Sequence, residues 1–285
     1  MAGRIARDGR AAVLVPWGVA AMTRSPHLQR ITSGRGRPRL DSTAWVACAL
    51  QILRARWIAV SAVGALALAP SWWLDLHPPE GDWGPALALG IPWVAALLGE
   101  SALLGSAAQA LDGRPSRPLK MIGHAIWRLP VMAAAIVLRT AAVAGIITLG
   151  ALASDQAGDY GSLILVTSLL IAIGVSSAFS QATAVAFSER CGPIHALAVS
   201  AELTRDLRMT VLKAKLKLAA LLILLGFAIG EISSPELRLL GERALEVLWF
   251  VAGALLTAVS YLVLRARAHR QRVESAAREI ADAIA

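Results

Sequence analysis

The chain has 285 residues, of which 56% are apolar and 16% are charged, with a formal net charge of +9. Soluble domains usually carry about 25% charged residues, so this composition excludes a disordered chain and argues against an ordinary water-soluble globule. The apolar residues fall into blocks about as long as a bilayer is thick. The sequence therefore predicts an all-α, multi-pass membrane protein, whose basic excess sets its orientation in the membrane and does not indicate nucleic-acid binding.

The first 40 residues are rich in arginine and contain one short apolar run, residues 11–21. A basic head with a short apolar middle is typical of a signal peptide, but the strongly basic segment 23–39 that follows would resist export. We interpret residues 1–40 as a basic cytoplasmic tail without regular structure. Two alternatives stay open, namely a true start at Met22 or another codon and, last in order, a cleaved signal.

Residues 41–264 are predicted to form one membrane domain of six spans. Each apolar stretch supplies roughly 17–25 residues, which is enough for a helix to cross about 30 Å of hydrocarbon. The fifth stretch is the shortest. In chain order the stretches are Trp57–Leu74, Pro85–Gln109, Pro130–Ala153, Gly161–Phe187, Lys215–Glu231 and Gly241–Leu264.

The connections between these stretches alternate in charge. Loops 75–84 and 154–160 contain acidic residues and neither Lys nor Arg, whereas loops 110–129 and 188–217 and both ends of the chain are basic. Basic loops stay on the cytoplasmic side of a membrane. The alternation therefore predicts an inner-membrane protein with both termini in the cytoplasm.

Short amphipathic helices with basic ends are predicted before three spans, at 44–56, 119–128 and 194–209. A further basic amphipathic helix is predicted in the tail, 265–285. Such helices lie in the membrane interface with Lys and Arg among the headgroups. The residues predicted to contact anionic lipid headgroups are Arg114, Arg117, Lys120, Arg128, Lys213 and Lys215.

Residues 188–212 carry a motif of the form E-x-x-G-x-x-x-A-L-x-x-S-x-x-L-T, and the run 112–116 reads DGRPS. This pattern resembles six-span bacterial membrane domains such as the one attached to some glycerophosphodiester phosphodiesterases and related inner-membrane proteins. The resemblance covers about 41–264 and implies architecture, not catalysis. The matching residues are Glu189, Gly192, Ala196, Leu197, Ser200, Leu203 and Thr204.

Two charged residues interrupt the spans, Glu100 in the second and Arg139 in the third. Each lies nine residues from the cytoplasmic end of its span, or about 14 Å at the helical rise. An isolated charge at this depth costs roughly 3 kcal/mol or more, and a paired charge costs less. We therefore predict a contact between Glu100 and Arg139, either a structural ion pair or part of a polar relay. A misplaced span boundary would instead leave one of them in water.

The fourth span carries small residues at four-residue spacing, including Gly174, Ala178 and Ala182, with Gln181 beside them. Such stripes let two helix backbones approach closely. We predict a helix–helix contact with interhelical hydrogen bonds here, and pore lining is the alternative.

Motifs for catalysis, metal binding or cofactor binding are not found, and the five histidines and two cysteines are scattered. We therefore expect no metal or cofactor and no enzyme activity, with an intramembrane enzyme kept as the third and last hypothesis. The first hypothesis is an accessory or scaffolding membrane protein that engages anionic lipid, a partner membrane protein or a second copy of itself. The alternative is a small transporter or permease component with a polar path near Glu100, Arg139 and Gln181.

Overall fold

The computed structural model describes residues 41–79, 81–111, 118–189 and 191–284, and this part of the chain is helical without a strand. The all-α prediction is thereby confirmed. A short 3-10 turn, Gly158–Tyr160, connects α4 to α5. The helices are α1 (Ser42–Ala55), α2 (Trp57–Leu76), α3 (Gly84–Leu111), α4 (Pro118–Gln156), α5 (Gly161–Ala178), α6 (Ala182–Ser188), α7 (Pro193–Thr204), α8 (Arg208–Gly230) and α9 (Pro235–Ile284).

Five segments of the described residues are long and apolar enough to cross a membrane. This agrees with the predicted membrane protein, and the five match the first four and the last of the predicted spans. They are Trp57–Leu76, Gly84–Ala110, Lys120–Gln156, Gly161–Ser188 and Pro235–Ser275.

The fifth predicted stretch lies in α8, which is not among these five segments. Its 23 residues are enough to cross the hydrocarbon, but Lys213, Lys215 and Lys217 interrupt its first half. It packs beside α9 in the opposite direction, with Gly226 against Leu245 and Gly241 against Ile229. A sixth crossing by α8 therefore stays a prediction.

Helix α9 occupies the centre of the bundle. Between Val251 and Leu264 almost every side chain is buried, and α9 packs against α1, α2, α3 and α8. A helix that is apolar on all sides belongs in such a position. Helices α4 and α5 instead lie at the edge, where only 11% of each apolar span is buried by the protein, as expected for surfaces that face lipid.

Two glycines allow the helices around α9 to approach it closely. A Cβ atom at Gly64 would overlap the side chain of Val251. A Cβ atom at Gly99 would overlap Ala67 and lie 3.2 Å from the ring of Phe250. The absence of side chains at these two positions brings α2, α3 and α9 into contact at the same depth.

A polar clamp joins the end of α2 to α9. Arg243 forms ion pairs of 3.1 Å with both Asp75 and Glu246 and lies 5.7 Å from the Trp72 ring centroid. The indole Nε1 of Trp72 donates to Glu246 at 2.6 Å. The clamp sets α2 antiparallel to α9, and it brings loop 75–84 to the same end of the bundle as the α8–α9 turn.

The predicted amphipathic segments differ from the prediction in their helix boundaries and in what their apolar faces contact. Helix α1 buries Trp45, Cys48 and Ile52 in the protein core, against α8 and α9, so its apolar face is not free to lie on lipid. The segment 119–128 is the continuous beginning of α4, whereas the segments 44–56 and 194–209 contain separate short helices, α1 and α7. Amphipathic segments bury their apolar face wherever a protein surface is nearer than the membrane.

The structure describes the predicted tail at the C-terminus but not the one at the N-terminus. The predicted tail 1–40 lies outside the described residues. The predicted tail helix 265–285 continues α9 without a break as far as Ile284.

The Gly99 contact predicts an effect on stability. Replacing Gly99 with Ala should destabilise the protein by about 1–3 kcal/mol, because the added methyl group overpacks the contact with Ala67 and Phe250. Thermal unfolding in detergent measures the change. Gly90→Ala in the same helix is the matched control, since a Cβ atom at Gly90 would meet no neighbouring helix of the described chain within 4 Å. Equal unfolding temperatures for the two variants would contradict the close approach.

Candidate functional site

The fourth predicted span is interrupted inside the bundle. Helix α5 ends at Ala178, a turn covers residues 179–181, and α6 begins at Ala182. The span predicted at Gly161–Phe187 is found as a candidate span over Gly161–Ser188, but it is not the continuous helix that was expected. The small-residue stripe is consequently split between two helices, with Gly174 and Ala178 on α5 and Ala182 on α6.

Helix α7 bonds to the backbone groups that the interruption frees. The Gln181 N–H donates to Ser200 Oγ at 3.1 Å. The Ala178 carbonyl accepts from Ser200 Oγ at 2.9 Å and from Thr204 Oγ1 at 3.0 Å. Buried backbone groups outside a regular helix persist only where other groups pair with them, and these two hydroxyls do so here.

The Gln181 side chain extends the network to the central helix. Gln181 is fully buried, and its Nε2 donates to Ser260 Oγ on α9 at 2.9 Å. The Ser260 hydroxyl donates to the Thr257 carbonyl, so its oxygen is the acceptor for Gln181. The Gln181 Oε1 atom is buried without a hydrogen-bond partner among the described residues.

The acidic first position of the sequence motif fastens the α6–α7 connection to α9. Glu189 forms an ion pair of 3.3 Å with Arg265 and accepts a bond of 3.2 Å from the Tyr261 hydroxyl. Gly192 precedes α7 in extended conformation as its N-cap. Leu203 is half-buried against the core. The polar motif residues Glu189, Ser200 and Thr204 thus all make contacts close to the break between α5 and α6. These contacts stabilise the fold.

The beginning of α4 supports the other end of α6. Arg128 Nε donates to the Ala186 carbonyl at 3.0 Å, and His124 Nε2 lies 3.3 Å from the Phe187 carbonyl oxygen. These carbonyls end a helix, where intrahelical donors are missing. Arg128 was predicted to contact lipid headgroups, but its guanidinium is engaged inside the protein.

Three charged residues lie within electrostatic range of each other, Glu100 on α3, Arg139 on α4 and Lys215 on α8. All three are half-buried, and Glu100 interacts electrostatically with both cations. The Arg139 guanidinium donates to Ser176 Oγ on α5 at 3.1 Å. Among the described side chains no close ion pair joins Glu100 to Arg139. The direct contact predicted between Glu100 and Arg139 is thus replaced by a wider cluster of three charges.

The predicted lipid contacts now divide into three groups. Lys120 and Lys213 have exposed side chains, and Lys215 belongs to the charged cluster. Arg114 and Arg117 lie outside the described residues, as does the run 112–116. The sequence does not distinguish Lys215 from Lys213 and Lys217, because the three lysines alternate with apolar residues at the same spacing.

No group of three or more His, Cys, Asp or Glu side chains in the described ranges is arranged to hold a metal ion. Burial raises the pKa of the Cys48 thiol. Burial and the neighbouring Glu189 charge raise the pKa of the Cys191 thiol. Protonated thiols are poor ligands and nucleophiles, so neither cysteine suggests a site.

Comparison with known proteins gives no family for this chain. No family model matches it, and neither a curated protein nor a solved structure is detectably similar to it. The resemblance of residues 188–212 to six-span membrane domains stays a prediction about architecture.

Ser200 should be a main contributor to the stability of the broken helix. Replacing Ser200 with Ala leaves the buried Gln181 N–H without a partner, which costs about 1–3 kcal/mol. The measurement is thermal unfolding in detergent. Ser162→Ala, at an exposed position on α5, is the control and should change little. A Ser200→Ala protein as stable as the control would show that the interruption does not depend on α7.

Proposed function

We propose that the chain is an accessory integral membrane protein of a cell inner membrane, with its basic end and both termini in the cytoplasm. At that end it engages anionic lipid headgroups and, through them or beside them, a partner membrane protein or a second copy of itself. This proposal rests on one observation, the concentration of exposed basic side chains at one end of the bundle.

Exposed basic side chains predominate at one end of the antiparallel helices, although Glu202 and Asp206 are also exposed there, and exposed acidic side chains predominate at the other end, which also exposes Arg238. Of the acidic loops, 75–84 begins where Asp75 pairs with Arg243 of α9, and 154–160 begins where Ser154 bonds to the Gly161 carbonyl. The opposite end is marked by the Glu189–Arg265 pair. The exposed basic side chains near that end are Arg54, Lys120, Arg205, Arg208 and Lys213.

An accessory role fits how the polar residues of the interior are used. Ser200, Thr204 and Ser260 all hydrogen-bond to groups of neighbouring helices or of their own helix. Interhelical bonds of this kind hold membrane bundles together. Because its buried hydroxyl groups bond helices to each other, the bundle is suited to offer a rigid surface to lipid or to a partner protein.

The orientation is tested by labelling two positions. In a protein that lacks Cys48 and Cys191, a cysteine at the exposed Asp82 should be accessible from outside the cytoplasm, and a cysteine at the exposed Lys120 should be accessible from the cytoplasm, since basic segments stay inside. Membrane-impermeant labelling of intact and of opened cells measures both. Equal accessibility from one compartment would contradict the layout.

Anionic-lipid binding is tested at the two exposed lysines. The double variant Lys120→Gln with Lys213→Gln should bind phosphatidylglycerol about 30-fold more weakly, because each surface cation contributes roughly 1 kcal/mol of attraction. Native mass spectrometry of protein in mild detergent with added phosphatidylglycerol measures the affinity. Arg238→Gln, close to the acidic end, is the control and should leave it unchanged. Equal affinity in all three proteins would refute the lipid role.

Transport is the second candidate, and the three charges of the interior favour it. Ionisable residues within spans mark ion and substrate pathways by default. Flux of protons or solute into proteoliposomes that Glu100→Gln abolishes without unfolding the protein would favour transport. A Glu100→Ala protein that cannot fold would favour a structural role for the carboxylate.

A further inference from the structure

The beginning of α4 exposes an aromatic ring at the basic end of the bundle. The Trp127 side chain is 86% exposed, and that of the adjacent Ile126 is 55% exposed. The Lys120 side chain, two helical turns earlier, is also exposed. Indole rings favour the headgroup level of a membrane, and lysine side chains keep their ammonium groups among the headgroups. These three residues therefore have the composition of a membrane interface.

This surface continues the face of α4 that points away from the protein. Leu138 and Leu149 follow Trp127 after about three and about six whole helical turns, so the three residues lie on one line. Both leucines are exposed, and only 11% of the apolar span of α4 is buried by the protein. The face of α4 that is expected to contact lipid therefore extends to Trp127, and Lys120 lies at its end.

The length of this face matches the thickness of a bilayer. From Trp127 to Gln156, the last residue of α4, the helical rise gives about 43 Å. A bilayer measures about 40–45 Å when its headgroup regions are included. Tyr160, in the turn after α4, is 72% exposed, so an exposed aromatic ring lies at each end of the face. This length places Trp127 at the headgroup level of the basic end.

A gap separates Lys120 from Trp127 on this face. Gly123 lies between them, and a Cβ atom there would meet neither another helix of the described chain nor the side chain of Lys120 or Trp127 within 4 Å. Residues three and four apart are neighbours on a helix, so the gap has an ammonium group on one side and an indole on the other. An ammonium group and an indole N–H are both hydrogen-bond donors, and phosphate and ester oxygens of a phospholipid are acceptors.

We propose that Lys120, Gly123 and Trp127 form a binding site for one anionic phospholipid of the cytoplasmic leaflet. The lipid phosphate lies in the gap at Gly123, where its charge is opposite to that of Lys120, and Ile126 contacts the first methylene groups of the acyl chains. Continuity with the lipid-facing side of α4 favours lipid over a protein as the occupant. This inference rests on the proposed engagement of anionic lipid and gives that engagement a defined site.

The first test fills the gap. Gly123→Leu should weaken the binding of phosphatidylglycerol roughly tenfold, because the added side chain occupies the space of the phosphate. Native mass spectrometry of the protein in mild detergent measures the affinity. Gly145→Leu is the matched control, since a Cβ atom at Gly145 is equally free of neighbours and the residue lies on the same face within the apolar span. It should bind like the wild type. Equal affinities of the two variants would overturn the site.

The second test removes one donor and keeps the ring. Trp127→Phe should weaken phosphatidylglycerol binding about fivefold, because the indole N–H bond to the lipid is lost. Trp249→Phe changes a half-exposed tryptophan of α9 and should leave the affinity unchanged. Both variants should unfold at the temperature of the wild type, since neither removes a buried side chain. A Trp127→Phe protein that binds like Trp249→Phe would refute the role of the indole N–H.

Further outcomes separate this site from the accessory role. A wild type without preference for phosphatidylglycerol over phosphatidylcholine would overturn both. A wild type with that preference, together with Gly123→Leu and Trp127→Phe proteins that keep it in full, would overturn the site alone. Displacement of the lipid by inorganic phosphate would overturn the site in favour of a free anion. Loss of dimers in Gly123→Leu with unchanged lipid affinity would overturn it in favour of a second copy of the chain.

Discussion

A backbone group surrounded by apolar side chains must find a hydrogen-bond partner within the protein, and at residues 179–181 that requirement organises the bundle. The break frees the Ala178 carbonyl and the Gln181 N–H. Their partners, Ser200 and Thr204, lie on α7, so α7 is drawn against the end of α5. Gln181 then bonds to Ser260, which ties the same point to the central helix. Without these bonds the turn would leave buried polar backbone groups unpaired.

The same requirement acts at the two ends of α6. At its start, hydroxyl groups of α7 replace the missing helical partners. At its end, Arg128 and His124 lie against the last carbonyls. A seven-residue helix is too short to be stable alone. It exists here because both of its ends are supported by other helices, and the Glu189–Arg265 pair holds the connection that follows.

Charge is used in two different ways along the bundle. At its ends, exposed charges are solvated and their sign separates the basic end from the acidic one. Away from the ends, Glu100, Arg139 and Lys215 are half-buried. Charges interact more strongly where water is partly excluded, so the distances between these three groups affect stability more than those between exposed charges do. The clamp of Arg243 with Asp75 and Glu246 lies between these extremes, because its side chains are still partly exposed. An exposed pair of this kind adds little stability by itself, but it aligns α2 with α9.

By itself, the sequence determined that the protein is a helical membrane bundle, because apolar blocks of bilayer length and alternating loop charge depend only on local composition. It also indicated Glu100, Arg139, Gln181 and Ser200 as residues of interest. The tertiary structure alone decided that the fourth span breaks at residues 179–181, that Arg128 bonds to the end of α6, and that Arg139 donates to Ser176 on α5. Each of these depends on partners distant in the chain, such as Ser200 for the Gln181 N–H. Local hydrophobicity does not indicate which distant residue supplies a hydrogen bond or a charge.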